Sequence, residues 1–148
     1  MDKSTNWFEY FSLEIQPELV SEWRQTGQVQ IITQAEVYPV WISRSLWGHR
    51  LKSRRVFFFV DNNGAKDSLV KGYMNSVSGD PMLQSILTLE YEQPSYNWYA
   101  RVPSASNIAD DPSRLDCKAL EDDKRFVRSE PRQPVSFLTG SASFSLLT

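Results

Sequence analysis

Acidic residues stand at the ends of three predicted secondary-structure elements. Asp61 directly follows the apolar run 56–60, Glu36 lies where a helical pattern begins, and Asp110 and Asp111 lie where the last one begins. In open α/β sheets, ligands and metals bind outside the carboxyl ends of the strands, so Asp61 is well placed for chemistry. The alternative is that Asp61 only caps the next helix. Because side chains at element ends can converge without entering a core, Glu36, Asp61 and Asp110 are candidates for one shared site.

Such a convergence of carboxylates requires cations. Like charges about 4 Å apart repel by several kcal/mol at an effective dielectric constant near 20. One histidine, His49, and one cysteine, Cys117, cannot form a zinc site. Oxygen ligands instead favour Mg²⁺ or Mn²⁺, and a pair of these ions can clamp the attacking water and the leaving oxygen of a phosphodiester. Against this, Glu36 and Asp110 are also ordinary acids for the first turn of a helix.

Composition bounds the size and class of the protein. A chain of 148 residues with 41% hydrophobic content can bury one sizeable core. We expect one domain at residues 1–120, followed by a charged and serine-rich tail at 121–148 that is mobile. A net charge of −2 excludes a generally basic nucleic-acid coat and leaves a local basic patch open.

The N-terminal sequence lacks the order of a signal peptide, and no apolar run approaches the roughly 18 residues that span a bilayer. We therefore expect an intracellular protein, cytoplasmic or nuclear, that has no membrane partner.

The positioning elements follow from periodicity. The apolar run 56–60 predicts a strand buried on both faces, and partial alternation over 7–15 predicts an edge strand, the remnant of a hairpin. The other elements predicted are helices at Pro17–Trp23 ending at Gly27, from Thr33 to Lys52, over Ala65–Val70 ending near Gly72, from Asp80, and at Ala109–Leu120, with a strand at Tyr96–Val102. This order predicts an α/β fold with a mixed or parallel central sheet and helices on its faces.

Three motifs occur in a fixed order along the chain: Gln34-Ala35-Glu36-Val37, then residues 59–65, then residues 102–114, which read Val-Pro-Ser-Ala-Ser-Asn-Ile-Ala-Asp-Asp-Pro-Ser-Arg. Together they resemble the ribonuclease H-like domain that follows reverse transcriptase in retrotransposon polyproteins. The resemblance covers residues 7–115, and the last motif is its most specific part. It implies a central sheet with four acids that hold two Mg²⁺ ions and hydrolyse the RNA strand of an RNA–DNA hybrid.

The resemblance assigns a role to each candidate acid. Glu36 matches the family's helix acid, Asp61 its central-strand acid and Asp110 its final-helix acid, with Asp111 as the alternative to Asp110. These residues would be both catalytic and metal ligands. An upstream reverse transcriptase domain is the implied neighbour.

Four further residues are candidates for substrate contact: Gln34, Arg54, Arg55 and Asn62. The two arginines belong to a basic cluster, residues 49–55, which either contacts the phosphate backbone beside the active site or is solvated charge near a helix C-terminus. Asn62 either touches substrate or shapes the turn after the strand.

The chain also departs from the family pattern. The family's first acid lies in a strand preceding the pattern at 7–15, and Asp2, the only acid before that pattern, stands in a polar stretch. The loop before the last helix has no histidine. We therefore expect an N-terminally truncated ribonuclease H-like fold with impaired hydrolysis. The alternatives are a catalytically inactive remnant that binds nucleic acid or supports a reverse transcriptase, and a soluble α/β protein that is no nuclease.

Overall fold

The computed structural model describes residues 6–25 and 30–138. The protein is mixed α/β. In chain order the elements are β1 (Glu9–Tyr10), α1 (Pro17–Arg24), α2 (Ile32–Leu51), β2 (Arg55–Val60), α3 (Asn63–Lys71), α4 (Asp80–Glu92), β3 (Tyr96–Arg101), a 3₁₀ turn (Ser104–Ser106), α5 (Asp110–Ser113), α6 (Lys118–Asp122) and β4 (Val127–Arg128). The predicted end of the first helix at Gly27 lies outside the described residues.

The described strands form two separate parallel pairs, β1 with β4 and β2 with β3. Of the predicted mixed or parallel sheet, the parallel pairing is confirmed for the described residues, but the strands lie in two small sheets and not in one central sheet. In the β2–β3 pair, Phe57 lies opposite Trp98 and Val60 opposite Arg101. The carboxyl ends of both strands consequently meet at one edge of this small sheet.

The predicted strand at 7–15 is reduced to β1 and an isolated bridge at Trp7. The alternation of apolar residues over 7–15 reflects partial burial of a segment that is mostly not in a strand. The hydroxyl of Ser12 donates to the Pro112 carbonyl at 2.5 Å, while Phe11 and Leu13 pack against the core. Strand β1 pairs in parallel with β4.

Within the described residues, strand β2 is covered on one face only, which contradicts the prediction of burial on both faces. Val60 is buried and Phe58 is half-buried. The Arg44 guanidinium of α2 lies 5.2 Å from the centre of the Phe58 ring. Phe57 and Phe59 are 64% and 62% exposed on the other face. The helices thus pack against the Phe58 side of the sheet.

The core is built around α2. Its buried residues pack with those of α1, α3 and α4, and the aromatic rings of Trp23, Tyr38 and Trp41 form one contiguous group. Two local signals define α3. The Asn62 side chain accepts a hydrogen bond from the Ala65 N–H at 2.9 Å, and Gly72 ends the helix with a left-handed φ of 76°.

The last predicted helix, 109–120, is divided into α5 and α6. Leu115 adopts a positive φ of 65° between them, which interrupts the helical hydrogen bonds. The prediction of one continuous helix over these residues is therefore wrong.

Residues 121–138 contact the preceding domain. Strand β4 pairs with β1, and Phe137 is buried with its ring 5.2 Å from that of Trp41. The Phe137 N–H donates to a Glu22 carboxylate oxygen at 3.1 Å. The rest of the predicted tail, 139–148, lies outside the described residues.

Among the helices of the described residues, none is long and apolar enough to cross a membrane.

Candidate functional site

Two of the predicted acids meet at the carboxyl end of β2. Asp61 is the residue directly after this strand, and Glu36 lies in the second turn of α2, which packs against it. Their side chains are joined by a hydrogen bond, and both residues are half-buried. A hydrogen bond between two carboxyl groups requires a proton on one of them. At pH values below its raised pKa, Glu36 carries the proton of this hydrogen bond.

This environment changes the acidity of Glu36. Burial is the largest cause, followed by the hydrogen bond with Asp61 and by the negative charges of Asp61 and Asp110. Together they raise the pKa of Glu36 from its ordinary value of 4.5 to about 7. Near neutral pH, Glu36 thus holds its proton in about half of the molecules, a usual feature of acids and bases in functional sites.

Asp110 is the third predicted acid and begins α5. Its charge reaches Glu36, although no hydrogen bond joins the two in the described structure. One carboxylate oxygen of Asp110 lies 3.3 Å from Arg114, which is four residues further on. Asp111 is exposed and does not contribute to the pKa of Glu36. Of Asp110 and Asp111, Asp110 is therefore the one whose negative charge acts on Glu36.

The last sequence motif builds the turn that places Asp110. The Asn107 side chain accepts from the Ala109 N–H at 3.1 Å, and the Asn107 carbonyl accepts from the Asp110 N–H at 3.0 Å. The Ser113 hydroxyl donates to the Asp110 carbonyl at 2.7 Å. The asparagine, serine and arginine of this motif thus have local structural roles around the acid.

Arg101 is a neighbour of the site that the sequence analysis missed. It is the last residue of β3, it is exposed, and its Nε donates to the Asp61 carbonyl at 3.4 Å. The parallel register pairs Arg101 with Val60, so the carboxyl edge that carries Asp61 also carries this cation. Only the strand pairing reveals this, because the two residues are forty positions apart.

The predicted substrate contacts lie elsewhere or are already engaged. Gln34 is buried, and its amide donates to Ser76 at 3.0 Å. Asn62 caps α3, which supports its turn-shaping alternative.

Arg54 and Arg55 are exposed at the amino end of β2. Since a parallel strand rises roughly 3.3 Å per residue, Arg55 lies roughly 20 Å along the chain from Asp61. Arg55 therefore lies at the opposite end of β2 from the acids, and a phosphate contact of the basic cluster stays a prediction.

The donor set fits one magnesium ion better than two. Among the described residues, no group of three or more His, Cys, Asp or Glu side chains is placed to hold a metal ion. Glu36 and Asp61 supply two adjacent carboxylates, and Mg²⁺ is commonly held by one or two carboxylates with water and substrate phosphate completing its shell. A cation bound between the two carboxylates would relieve the repulsion between them.

No family model, curated protein or solved structure matches this chain. The resemblance to the ribonuclease H-like family therefore rests on the three sequence motifs alone.

Proposed function

We propose that the chain is a retroelement-derived ribonuclease H-like domain that hydrolyses the RNA strand of RNA–DNA hybrids, with Mg²⁺ or Mn²⁺ held by Glu36 and Asp61. The observation that carries this proposal is the carboxyl pair at the end of β2, where burial and the neighbouring Asp61 raise the pKa of Glu36. A pair of acids at this edge has little value for packing and costs stability when both ionise. Such an arrangement is typical of a site that binds a cation.

Each side chain has a task in the proposed reaction. Glu36 and Asp61 bind the ion and orient the water that attacks phosphorus. Asp110 adds negative charge on the same side and increases the attraction for a cation. When bound, the ion neutralises the phosphate charge and lowers the pKa of a coordinated water.

Cationic side chains near the acids support a polyanionic substrate. Arg101 lies at the same sheet edge, and Arg114 lies beside Asp110 with 74% of its side chain exposed. Both can contact backbone phosphates, which give affinity without reading the base sequence. An RNA–DNA hybrid fits this mode because the shape of the helix and its 2′-hydroxyls distinguish it from DNA.

The test is cleavage of a labelled RNA–DNA hybrid by the full chain in Mg²⁺, with Asp61→Asn and Glu36→Gln as variants. Both variants are expected to lose at least about a thousandfold in rate, the usual scale for removing a catalytic group. Asp67→Asn is the matched control, because it makes the same change on the exposed surface of α3. Cleavage that survives Asp61→Asn would show that the site assignment is wrong.

The second candidate function is an inactive nucleic-acid-binding or structural module beside a reverse transcriptase. It is favoured by the lack, among the described residues, of a third acidic ligand close to Glu36 and Asp61, since Asp110 pairs with Arg114. In this case neither the natural chain nor Asp61→Asn cleaves the hybrid, while hybrid binding persists. Isothermal titration with Mg²⁺ separates the two functions further, because the nuclease requires binding that Glu36→Gln removes.

A further inference from the structure

The face of the β2–β3 sheet that points away from the helices carries a group of exposed aromatic rings. We call it the outer sheet face, and it consists of Arg55, Phe57 and Phe59 from β2 and Tyr96, Trp98 and Ala100 from β3. Tyr96 is 76% exposed and Trp98 is 65% exposed, similar to the two phenylalanines. Phe57 and Trp98 lie directly opposite each other across the strand pair. The rings therefore form one contiguous surface.

The opposite face of the same sheet uses its rings as core. Phe58 and Tyr99 stack there with centroids 5.2 Å apart, and the Tyr99 hydroxyl donates to Glu90 at 2.8 Å. Parallel sheets are normally covered on both faces, because an exposed aromatic face costs free energy in water. The outer sheet face thus has the chemistry of a binding surface within the described structure.

The charges around these strands indicate what kind of partner fits. Residues 52–60 and 94–101 include four cations, Lys52, Arg54, Arg55 and Arg101, and the acid Asp61 follows β2 directly at its carboxyl end. Of these charges, Arg55 lies on the outer sheet face itself, at the amino end of the strand pair. Exposed rings combined with this arginine favour a polyanion that also presents flat apolar faces.

Single-stranded nucleic acid has this chemistry. Its bases offer aromatic faces that a duplex hides in its own stack, and its phosphates are attracted to arginine. Rings two residues apart on a parallel strand are separated by roughly 6.6 Å, so Phe57 and Phe59 can each take a different base of an extended strand.

We propose that the outer sheet face binds single-stranded nucleic acid, with bases stacked on Trp98 and Phe57 and a phosphate at Arg55. This site lies away from the carboxyl edge that carries Asp61. It does not rest on the proposed nuclease activity, and it is measured in the absence of divalent ions.

The experiment measures fluorescence anisotropy of a labelled oligothymidylate titrated with the full chain in EDTA. Trp98→Ala and Phe57→Ala are each expected to weaken binding about 10-fold, the typical scale for losing one stacked base. Both side chains are exposed, so neither change removes core packing. Tyr91→Ala is the matched control, because Tyr91 is 89% exposed on α4 and lies outside the sheet. Its affinity should equal that of the natural chain.

Arg55→Gln tests the phosphate contact separately. Removing one phosphate contact should weaken binding and lower the slope of log affinity against log salt by about 0.7, without a change in base preference. A duplex of the same length should bind more weakly than the single strand. Because Trp98 is the exposed tryptophan, its fluorescence should be quenched on binding and the quenching should disappear in Trp98→Ala.

Several results would overturn the proposal. Equal affinity for Trp98→Ala and the natural chain would exclude stacking on this face, and tighter binding of the duplex would exclude a site for single strands. Protection of Trp98 from acrylamide without nucleic acid would show that another segment or a second copy covers the face. In that case, sedimentation of Trp98→Ala would distinguish a dimer contact, which the substitution would dissociate, from an intramolecular cover.

Discussion

Replacing Glu36 by glutamine should stabilise the protein at alkaline pH and have little effect at acidic pH. The pKa of Glu36 is raised from 4.5 to about 7, mainly by burial and by the Asp61 hydrogen bond. Because the folded chain keeps a proton that the unfolded chain releases, the stability associated with this group is fully present below about pH 4.5. It is lost as the pH rises through about 7.

The size of the effect follows from the same pKa difference. The difference between 4.5 and about 7 corresponds to about 3 kcal/mol, and partial contact of Glu36 with solvent reduces this toward about 1 kcal/mol. Glutamine has no charge at any pH, and its amide can still donate to Asp61 as the protonated acid does. Glu36→Gln should therefore exceed the natural chain in unfolding free energy by about 1–3 kcal/mol near pH 8.

Urea denaturation at about pH 4.5 and about pH 8 measures this difference, since both conditions lie on opposite sides of the pH range where the stability changes. The control is Glu14→Gln, an exposed acid, which should change stability little at either pH. An equal or lower stability of Glu36→Gln near pH 8 would refute the reasoning, as would a gain of the same size at both pH values. Mg²⁺ provides a linked check, because it should stabilise the natural chain more than Glu36→Gln.

The remaining predictions concern the packing that supports the site. Phe137→Ala should lower the unfolding free energy by about 3–5 kcal/mol in urea denaturation, because its ring is buried against Tyr38 and Trp41. Leu138→Ala, at an exposed position, is the matched control, and an equal effect of both would contradict the docking of residues 121–138. Arg44→Ala should cost about 3–5 kcal/mol in the same assay, since it leaves the Glu90 carboxylate, now 3.0 Å from Arg44, without its buried partner. The double variant Arg44→Ala with Glu90→Gln should recover part of that loss, and full additivity would show that the ion pair has no such role.

The sequence predicts the parts of the fold in which one signal dominates. The helical spacing after Thr33, the run 56–60 and the alternation from Tyr96 identify α2, β2 and β3 almost to the residue. The convergence of Glu36 and Asp61 is only weakly indicated by their positions at element ends, and the family resemblance is what favoured it.

Each incorrect or missed prediction has its own physical cause. A continuous apolar run has the same appearance whether both faces of a strand are buried or only one, and the exposed rings of Phe57 and Phe59 are invisible to periodicity. The left-handed turn at Leu115 has no glycine to signal it. Arg101 reaches Asp61 through strand register, which a single sequence does not encode locally.

The parallel register of β2 and β3 also distributes charge unevenly along the sheet. It places Asp61 and Arg101 at the carboxyl edge, where Glu36 and Asp110 contribute further negative charge, and Arg55 beside Tyr96 at the amino end, roughly 20 Å away along the strand. A nucleic-acid phosphate approaching the chain is therefore attracted to the amino end and the outer sheet face. It is repelled from the acids until a cation binds there. Under the two proposals, metal binding and nucleic-acid approach to the acids should therefore favour each other, whereas stacking on the outer sheet face should need no metal.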